Sequence, residues 1–192
     1  MPPRNDAALD FLLIRRSRPA KTLTGPAPDR EALLPLLTAA ARSPDHGKLE
    51  PWRFVVLQGD ALQRVAGAVA ARGAEIGKGE SDIEKARRAF ADSPLCVVVV
   101  ESPKESEKIP AIEQTYSAGA VCLALLNAAL AAGWGANWLT GYGAFDRPLV
   151  ERELGLSQDE QVAGFIHIGT ESVAPPDRPR PDLEQIVTWV EA

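Results

Sequence analysis

Arg42-Ser43-Pro44-Asp45-His46-Gly47-Lys48-Leu49-Glu50-Pro51-Trp52 is the stretch from which the rest of the chain can be read. An apolar helical pattern precedes it, and the β-branched run Phe54-Val55-Val56-Leu57, suited to a buried strand, follows. Pro44 and Gly47 stop the helix, and Pro51 forces an extended entry into the strand. A plain connector between helix and strand needs only about two to six residues. This one is longer and carries a guanidinium, an imidazole, an ammonium and two carboxylates. Two readings stand: a solvated polar loop, or a loop whose Arg42, His46 and Lys48 meet a bound anionic or heteroaromatic group.

On the N-terminal side, Ala7 to Arg16 reads as a helix with Leu9, Leu12 and Leu13 on one face. Arg15-Arg16-Ser17-Arg18 closes it, either as cations complementing the helix dipole or as a guanidinium fork for phosphate with Ser17 as hydroxyl partner. After a Pro/Gly linker, Asp29 can cap a helix to about Arg42 with Leu33, Leu36, Leu37 and Ala40 inward; Pro35 predicts a kink or a late start.

Beyond the strand, Asp60 is expected to cap a helix from Ala61 to about Arg72, which Gly73, Gly77 and Gly79 then break. Ser81-Asp82-Ile83-Glu84 has capping-box form for a short charged helix. The 73–92 region reads as a mobile excursion, with a flap over a pocket as the other reading. Leu95 to Val100 is a continuous apolar run, hence a strand covered on both faces.

The longest helix, Ile112 to Ala132, is small-sided almost all round and so expects cover on every side. A second copy of the chain supplies that cover in one reading, giving a homodimer, and the rest of one monomer's core in the other. Gly133 has the position of a helix C-cap, and Trp138-Leu139-Thr140-Gly141 that of a strand ending beside something flat. Gly133-x-Gly135 is not a dinucleotide fingerprint, because the order is helix, glycines, strand and a third glycine is missing. Asp146 can cap a short helix to Leu154, and Val162 to Thr170 is the last core strand, with His167 read as a structural histidine. Arg178 and Arg180, two apart in the extended Pro175 to Pro181 segment, point to one side as a second phosphate clamp or belong to a solvated Pro-rich tail.

The whole chain of 192 residues reads as one domain, 1–192, ordinary for a globular protein at 45% hydrophobic and 24% charged residues. A net charge of −5 argues against general nucleic-acid binding. Cys96 and Cys122 are too few for a disulfide framework and read as buried thiols in a reducing cytoplasm. No secretory signal or membrane span is expected, since Met1 to Asp10 lacks an apolar core and Ser117 to Gly133 is Ala-rich and short. With His46 and His167 alone, a metal site or a Ser-His-Asp triad has little to draw on, and none is expected.

Taken in order, Arg15-Arg16-Ser17, Arg42-Ser43-Pro44 to Glu50-Pro51-Trp52, Gly133-x-Gly135-x-x-Trp138-x-Thr140-Gly141, and Gly164-Phe165-Ile166-x-Ile168-Gly169 ahead of Arg178-Pro179-Arg180 resemble the flavin-dependent nitroreductase family, in its compact bacterial branch. The resemblance implies an α+β fold: a three-layer α/β/α with a central mixed, mostly antiparallel sheet and a long central helix at a dimer interface. It implies a cytoplasmic NAD(P)H oxidoreductase with FMN as cofactor, NAD(P)H as reductant and no catalytic protein nucleophile. Hydride would pass by a ping-pong cycle through FMN N5 to nitroaromatic or quinone-like acceptors. The family pattern places Arg15, Arg16 and Ser17 on the FMN, Arg42 and His46 of the other subunit beside it with Lys48, Trp138, Leu139 and Thr140 along the ring, and Arg180 with Arg178 on the phosphate. It places Ala132, Gly133, Trp134, Gly135, Ala136 and Asn137 at the nicotinamide nucleotide. Lys48 and Glu50 stand where many members carry Asn and Gln, which bears on potential and substrate choice. The alternatives are a flavin-binding module without useful turnover, a flavin reductase or dehydrogenase whose acceptor is not a nitro compound, and a dimeric scaffold without flavin.

Overall fold

A strand whose side chains are all apolar must be covered on both faces, and Cys96–Glu101 (β3) meets that demand: Cys96 to Val100 have no exposed surface. The computed structural model describes residue 1 and residues 3–191. Along β3 the side chains alternate between two separate cores. Cys96, Val98 and Val100 join Phe165 against Leu62, Val65 and Val69 of helix α3 (Asp60–Glu75), Phe90 of α4 (Glu80–Ala91), and Leu149 and Val150 of α7 (Arg147–Leu154). Val97 and Val99 join Ile166 and Ile168 against Leu33, Leu36 and Ala40 of α2 (Arg30–Ala40) and Val121, Cys122, Leu125 and Ala129 of α5 (Ala111–Ala131). The result is three layers, helices on both sides of one sheet.

The sheet is built from β1 (Leu23–Thr24), β2 (Trp52–Leu57), β3, β4 (Gly135–Leu139) and β5 (Gln161–Glu171). β5 is central: it pairs with β3, β4 and β1, β3 pairs in turn with β2, and these four pairings are antiparallel. The expected α+β class with a mostly antiparallel sheet is what is found.

Local signals held where they are local. Asp29 and Asp146 cap their helices, each accepting from the backbone amide three residues on, at 2.9 and 3.1 Å. Gly133 leaves α5 with φ +85. Pro35 lies inside α2 without delaying its start, because the helix is held by Leu33, Leu36 and Ala40 rather than by every backbone bond. Asp60 is not a cap; Gly59 is, and Asp60 falls in the first turn.

Residues 73–92 are not an idle excursion: they hold the end of α3 and the helix α4, whose Ala86, Ala89 and Phe90 border a small cavity at the end of β4. The helix α4 begins at Glu80, not at the Ser81 box, and buries Phe90 edge-on against Phe165 with ring centroids 5.0 Å apart. Gly73 does not break α3. It lets Tyr142 and Ile83 approach, since a Cβ there would stand 2.5 Å from the tyrosine oxygen and 2.9 Å from Ile83. The turn is made at Gly77, with φ +70.

His167 is structural. It is buried with its ring edge-on to Phe90, centroids 5.6 Å apart, and Nδ1 2.9 Å from the Ser93 hydroxyl oxygen. Ser93 already donates its hydrogen to the Leu95 carbonyl at 3.0 Å, so the serine oxygen accepts and Nδ1 carries the imidazole proton. Burial pushes the His167 pKa down to about 4 from its ordinary 6.5. The unfolded chain therefore takes up the proton first, and stability falls as pH drops from about 6.5 towards 4. Urea unfolding is expected to lose roughly 2 kcal/mol between pH 7 and pH 5. Glu160, held down to about 2 chiefly by hydrogen bonds from Arg53, contributes only at lower pH. A His167→Gln chain should show a flat profile; equal wild-type stability at the two pH values would contradict a buried neutral imidazole.

Candidate functional site

Helix α1 (Asp6–Ile14) ends at Arg15, whose backbone turns out of the helix at φ −55, ψ 143. The segment that follows is tied to the start of β4: the Arg18 amide donates to the Ala136 carbonyl at 2.8 Å, and the Asn137 side-chain amide donates to the Arg18 carbonyl at 2.7 Å. Three arginines are thereby held beside a strand end. Arg15 Nη2 donates to Ser17 Oγ at 3.1 Å and Arg16 Nη1 to the Ser17 carbonyl at 3.3 Å. The Nε atoms of both Arg15 and Arg16 are buried and have no partner among the described residues.

Arg180 joins this cluster from the C-terminal segment. Burial, then the nearby Arg180, Arg16 and Arg18, lowers the Arg15 guanidinium from its ordinary value. Arg18 is answered by Glu171 at 3.3 Å and Arg180 by Asp177 at 3.0 Å; among the described residues Arg15 and Arg16 have no carboxylate partner. The surplus is positive, and its buried donors are unsatisfied. A multiply charged anion such as a phosphate monoester satisfies both. Arg178 is exposed, and among the described residues its only hydrogen bond is the one its backbone amide donates to Asp177.

The end of β4 supplies a flat wall. Trp138 lies over Gly164, and its side is partly open at 37% exposure. Leu139 and Thr140 border a small cavity with Tyr142, Phe165 and His167, and Gly141 ends the strand in a conformation (φ +154, ψ −175) reserved for glycine. Of the six residues expected at a nicotinamide nucleotide, Gly135 and Ala136 have no surface to offer. Ala136 is fully buried, and a Cβ on Gly135 would press on Leu23 at 2.6 Å and on the Gly169 carbonyl at 3.2 Å. Trp134 packs into the α2–α5 core and Asn137 holds Arg18, so Ala132 and Gly133 are the exposed members. The stretch supports the arginines.

Arg42, His46 and Lys48 lie elsewhere in the same chain. Their loop is fastened to the first turns of α5, where Ser117 donates to the Pro44 carbonyl at 2.7 Å and His46 Nδ1 meets Glu113 at 2.7 Å. The Arg15–Arg18 segment is fastened instead to β4, which follows α5 and packs along it. Among the described residues no hydrogen bond or ion pair joins the two groups within one chain. An open groove lies under the loop, lined by Leu49, Glu50, Trp52, Phe54 and Lys104. Glu113 and Glu171 carry no signal in the sequence, each an acid far along the chain from the cation it meets, whereas Asp177 stands only three residues before Arg180.

Apolar surface flanks the site. Leu9, Leu12, Leu13 and Ile14 of α1 are exposed, as are Ile112, Tyr116 and Leu123 on α5. So are Leu183, Ile186, Trp189 and Val190, which begin at the short helix α8 (Leu183–Ile186). α5 is the one helix among the described residues long and apolar enough to cross a membrane, and its inner face is instead packed in the core. The expectation that it is buried all round is met on that face alone. Cys96 and Cys122 are free and buried; burial raises Cys122 to about 12 and Cys96 further, so neither is a reactive thiolate.

A family model described as "Nitroreductase family" matches residues 14–170. An Escherichia coli K12 protein named "Putative NAD(P)H nitroreductase YdjA" is 36% identical over 163 residues, 85% of this chain and 87% of the relative. Among solved structures, a nitroreductase-like family protein from Bacillus cereus superposes with a TM-score of 0.80 at 23% identity, over 100% of each chain. The FMN- and NADPH-dependent nitroreductase NfnB from a Sphigopyxis strain superposes with a TM-score of 0.73 at 20% identity, over 96% of this chain and 99% of that one.

Proposed function

The chain belongs to the nitroreductase family of oxidoreductases, and from that premise we propose a cytoplasmic, FMN-dependent NAD(P)H oxidoreductase, one domain per chain, that works as a homodimer on nitroaromatic or quinone-like acceptors. The observation that carries the flavin assignment is the pair of buried, unpartnered Nε donors of Arg15 and Arg16 inside a cluster completed by Arg180. When bound, FMN supplies hydride transfer between a reduced nicotinamide and an electron acceptor.

The chain's own groups bind and orient. Arg15, Arg16 and Arg180 hold the phosphate; Ser17, whose oxygen already accepts from Arg15, has its hydrogen free to donate outward. The end of β4 borders the flavin with Trp138 on one face of the sheet and Leu139, followed by Thr140, on the other. Arg42, His46 and Lys48 reach a flavin from a second copy, since among the described residues nothing joins their loop, held on the first turns of α5, to the arginine cluster of the same chain. The second copy also covers the exposed apolar faces of α1 and α5, which water would otherwise solvate at a cost of about 25 cal/mol per Å2. Arg178, exposed and outside the cluster, has a peripheral part, and the nicotinamide approaches the open side near Ala132 and Gly133.

The test is anaerobic. FMN-loaded protein mixed with NADH or NADPH is expected to bleach, and to regain its colour on addition of a quinone or a nitroaromatic. Protein that stays flavin-bound and yellow with both nucleotides would be a binding module and would overturn the enzyme reading.

A further inference from the structure

We propose that Glu113 is a positioning residue for the flavin site: its carboxylate fixes the His46 imidazole so that Nε2 of one copy faces the FMN held by the other. The proposal rests on the flavin dimer argued above and adds a residue that neither the family motifs nor the charge pattern singled out. An acid in the first turn of α5 would satisfy the helix dipole in any side-chain orientation. Glu113 instead reaches across to His46, Oε2 lying 2.7 Å from Nδ1.

An ionised carboxylate only accepts, so Nδ1 must carry a hydrogen whether the ring is neutral or charged. Nε2 is left as the outward atom, and its ring is held in one orientation. The loop that carries His46 is over-determined in the same sense. Ser117, one helical turn beyond Glu113, donates to the Pro44 carbonyl at 2.7 Å. The Glu50 amide donates to Asp45 at 2.8 Å. Gly47, at φ +70, packs so closely on Ile109 that a Cβ would stand 2.6 Å from its Cδ1. Lys48 and Glu50 both take left-handed backbone conformations, φ +55 and +49, which non-glycine residues avoid at a cost on the order of 1 kcal/mol each. A connector has no need of such strain; presenting a fixed side chain does.

Solvent exposure accounts for the pair's design. His46 and Glu113 are 58% and 44% exposed, and an ion pair that open contributes little to the stability of one chain. Covered by a second copy, the same pair is shielded from water and its hydrogen bond gains strength.

The experiment titrates apoprotein with FMN, following quenching of flavin fluorescence, for wild type, His46→Ala, Glu113→Ala and the double variant. Each single change is expected to raise the Kd by roughly 3- to 10-fold, the range of one hydrogen bond. The double variant should bind no worse than His46→Ala alone, because Glu113 acts only through the imidazole. Glu113→Gln keeps the size but can donate to Nδ1 and so release the proton to Nε2. It is expected to retain the fold and to shift the midpoint potential of bound FMN in the same direction as His46→Ala. A Glu113→Ala Kd within about twofold of wild type, or losses that multiply in the double variant, would overturn the proposal. So would a His46→Ala protein that binds FMN as wild type does. Wild-type apoprotein that takes up no FMN would overturn the flavin reading itself, a separately visible result.

Discussion

Arg15→Ala is expected to raise the Kd for FMN by roughly 10- to 150-fold, the equivalent of about 1.5–3 kcal/mol for a hydrogen bond to a charged group. Arg15 is the centre of the cluster: Arg16, Arg18 and Arg180 all bear on its guanidinium, and its Nε is buried without a partner. The same crowding gives the prediction its control. Without an anion the arginines repel one another, so the apo form of the variant should unfold at the same urea concentration as wild type or a higher one. Loss of flavin affinity together with loss of apo stability would mean that Arg15 is structural. Unchanged affinity would remove it from the phosphate site. Arg178→Ala, at an exposed residue outside the cluster, should change the Kd by less than about twofold.

Gly164→Ala should destabilise the fold by about 3 kcal/mol, at the upper end of overpacking costs. A methyl group there would overlap the Trp138 indole, Cδ1 lying 2.6 Å away, and press on Cys122 Sγ at 3.1 Å. The tryptophan cannot retreat inward, because Cys122 and Ile166 have no exposed surface. It must swing towards solvent, away from its place beside the ring. Urea unfolding measures the loss, and tryptophan emission should shift to longer wavelength. A change under about 0.5 kcal/mol would show that the indole is not fixed on Gly164.

These two positions also show what the sequence does and does not carry. Arg15-Arg16-Ser17 could be placed at a helix end from composition, and Asp29 and Asp146 as caps, since capping is decided within a few residues. β3 was legible because an unbroken apolar run has few other uses. The pairing of Arg178 with Arg180 was not. Two residues apart in an extended segment they would share a side, but Asp177 accepts both from the Arg178 amide and from the Arg180 guanidinium, and Arg180 alone joins Arg15. Gly73 reads as a breaker until Tyr142, nearly seventy residues on, is seen to need the space. The Glu113 contact to His46 depends on tertiary folding alone, and no local pattern announces it.

The most direct test of a flavin held by these arginines is the visible absorption spectrum of the purified protein, with the flavin released by heat identified and counted. Flavin bands with FMN in the supernatant, about one per chain, are what the account predicts. A protein that is colourless as purified and remains so after incubation with FMN and removal of the excess would contradict it.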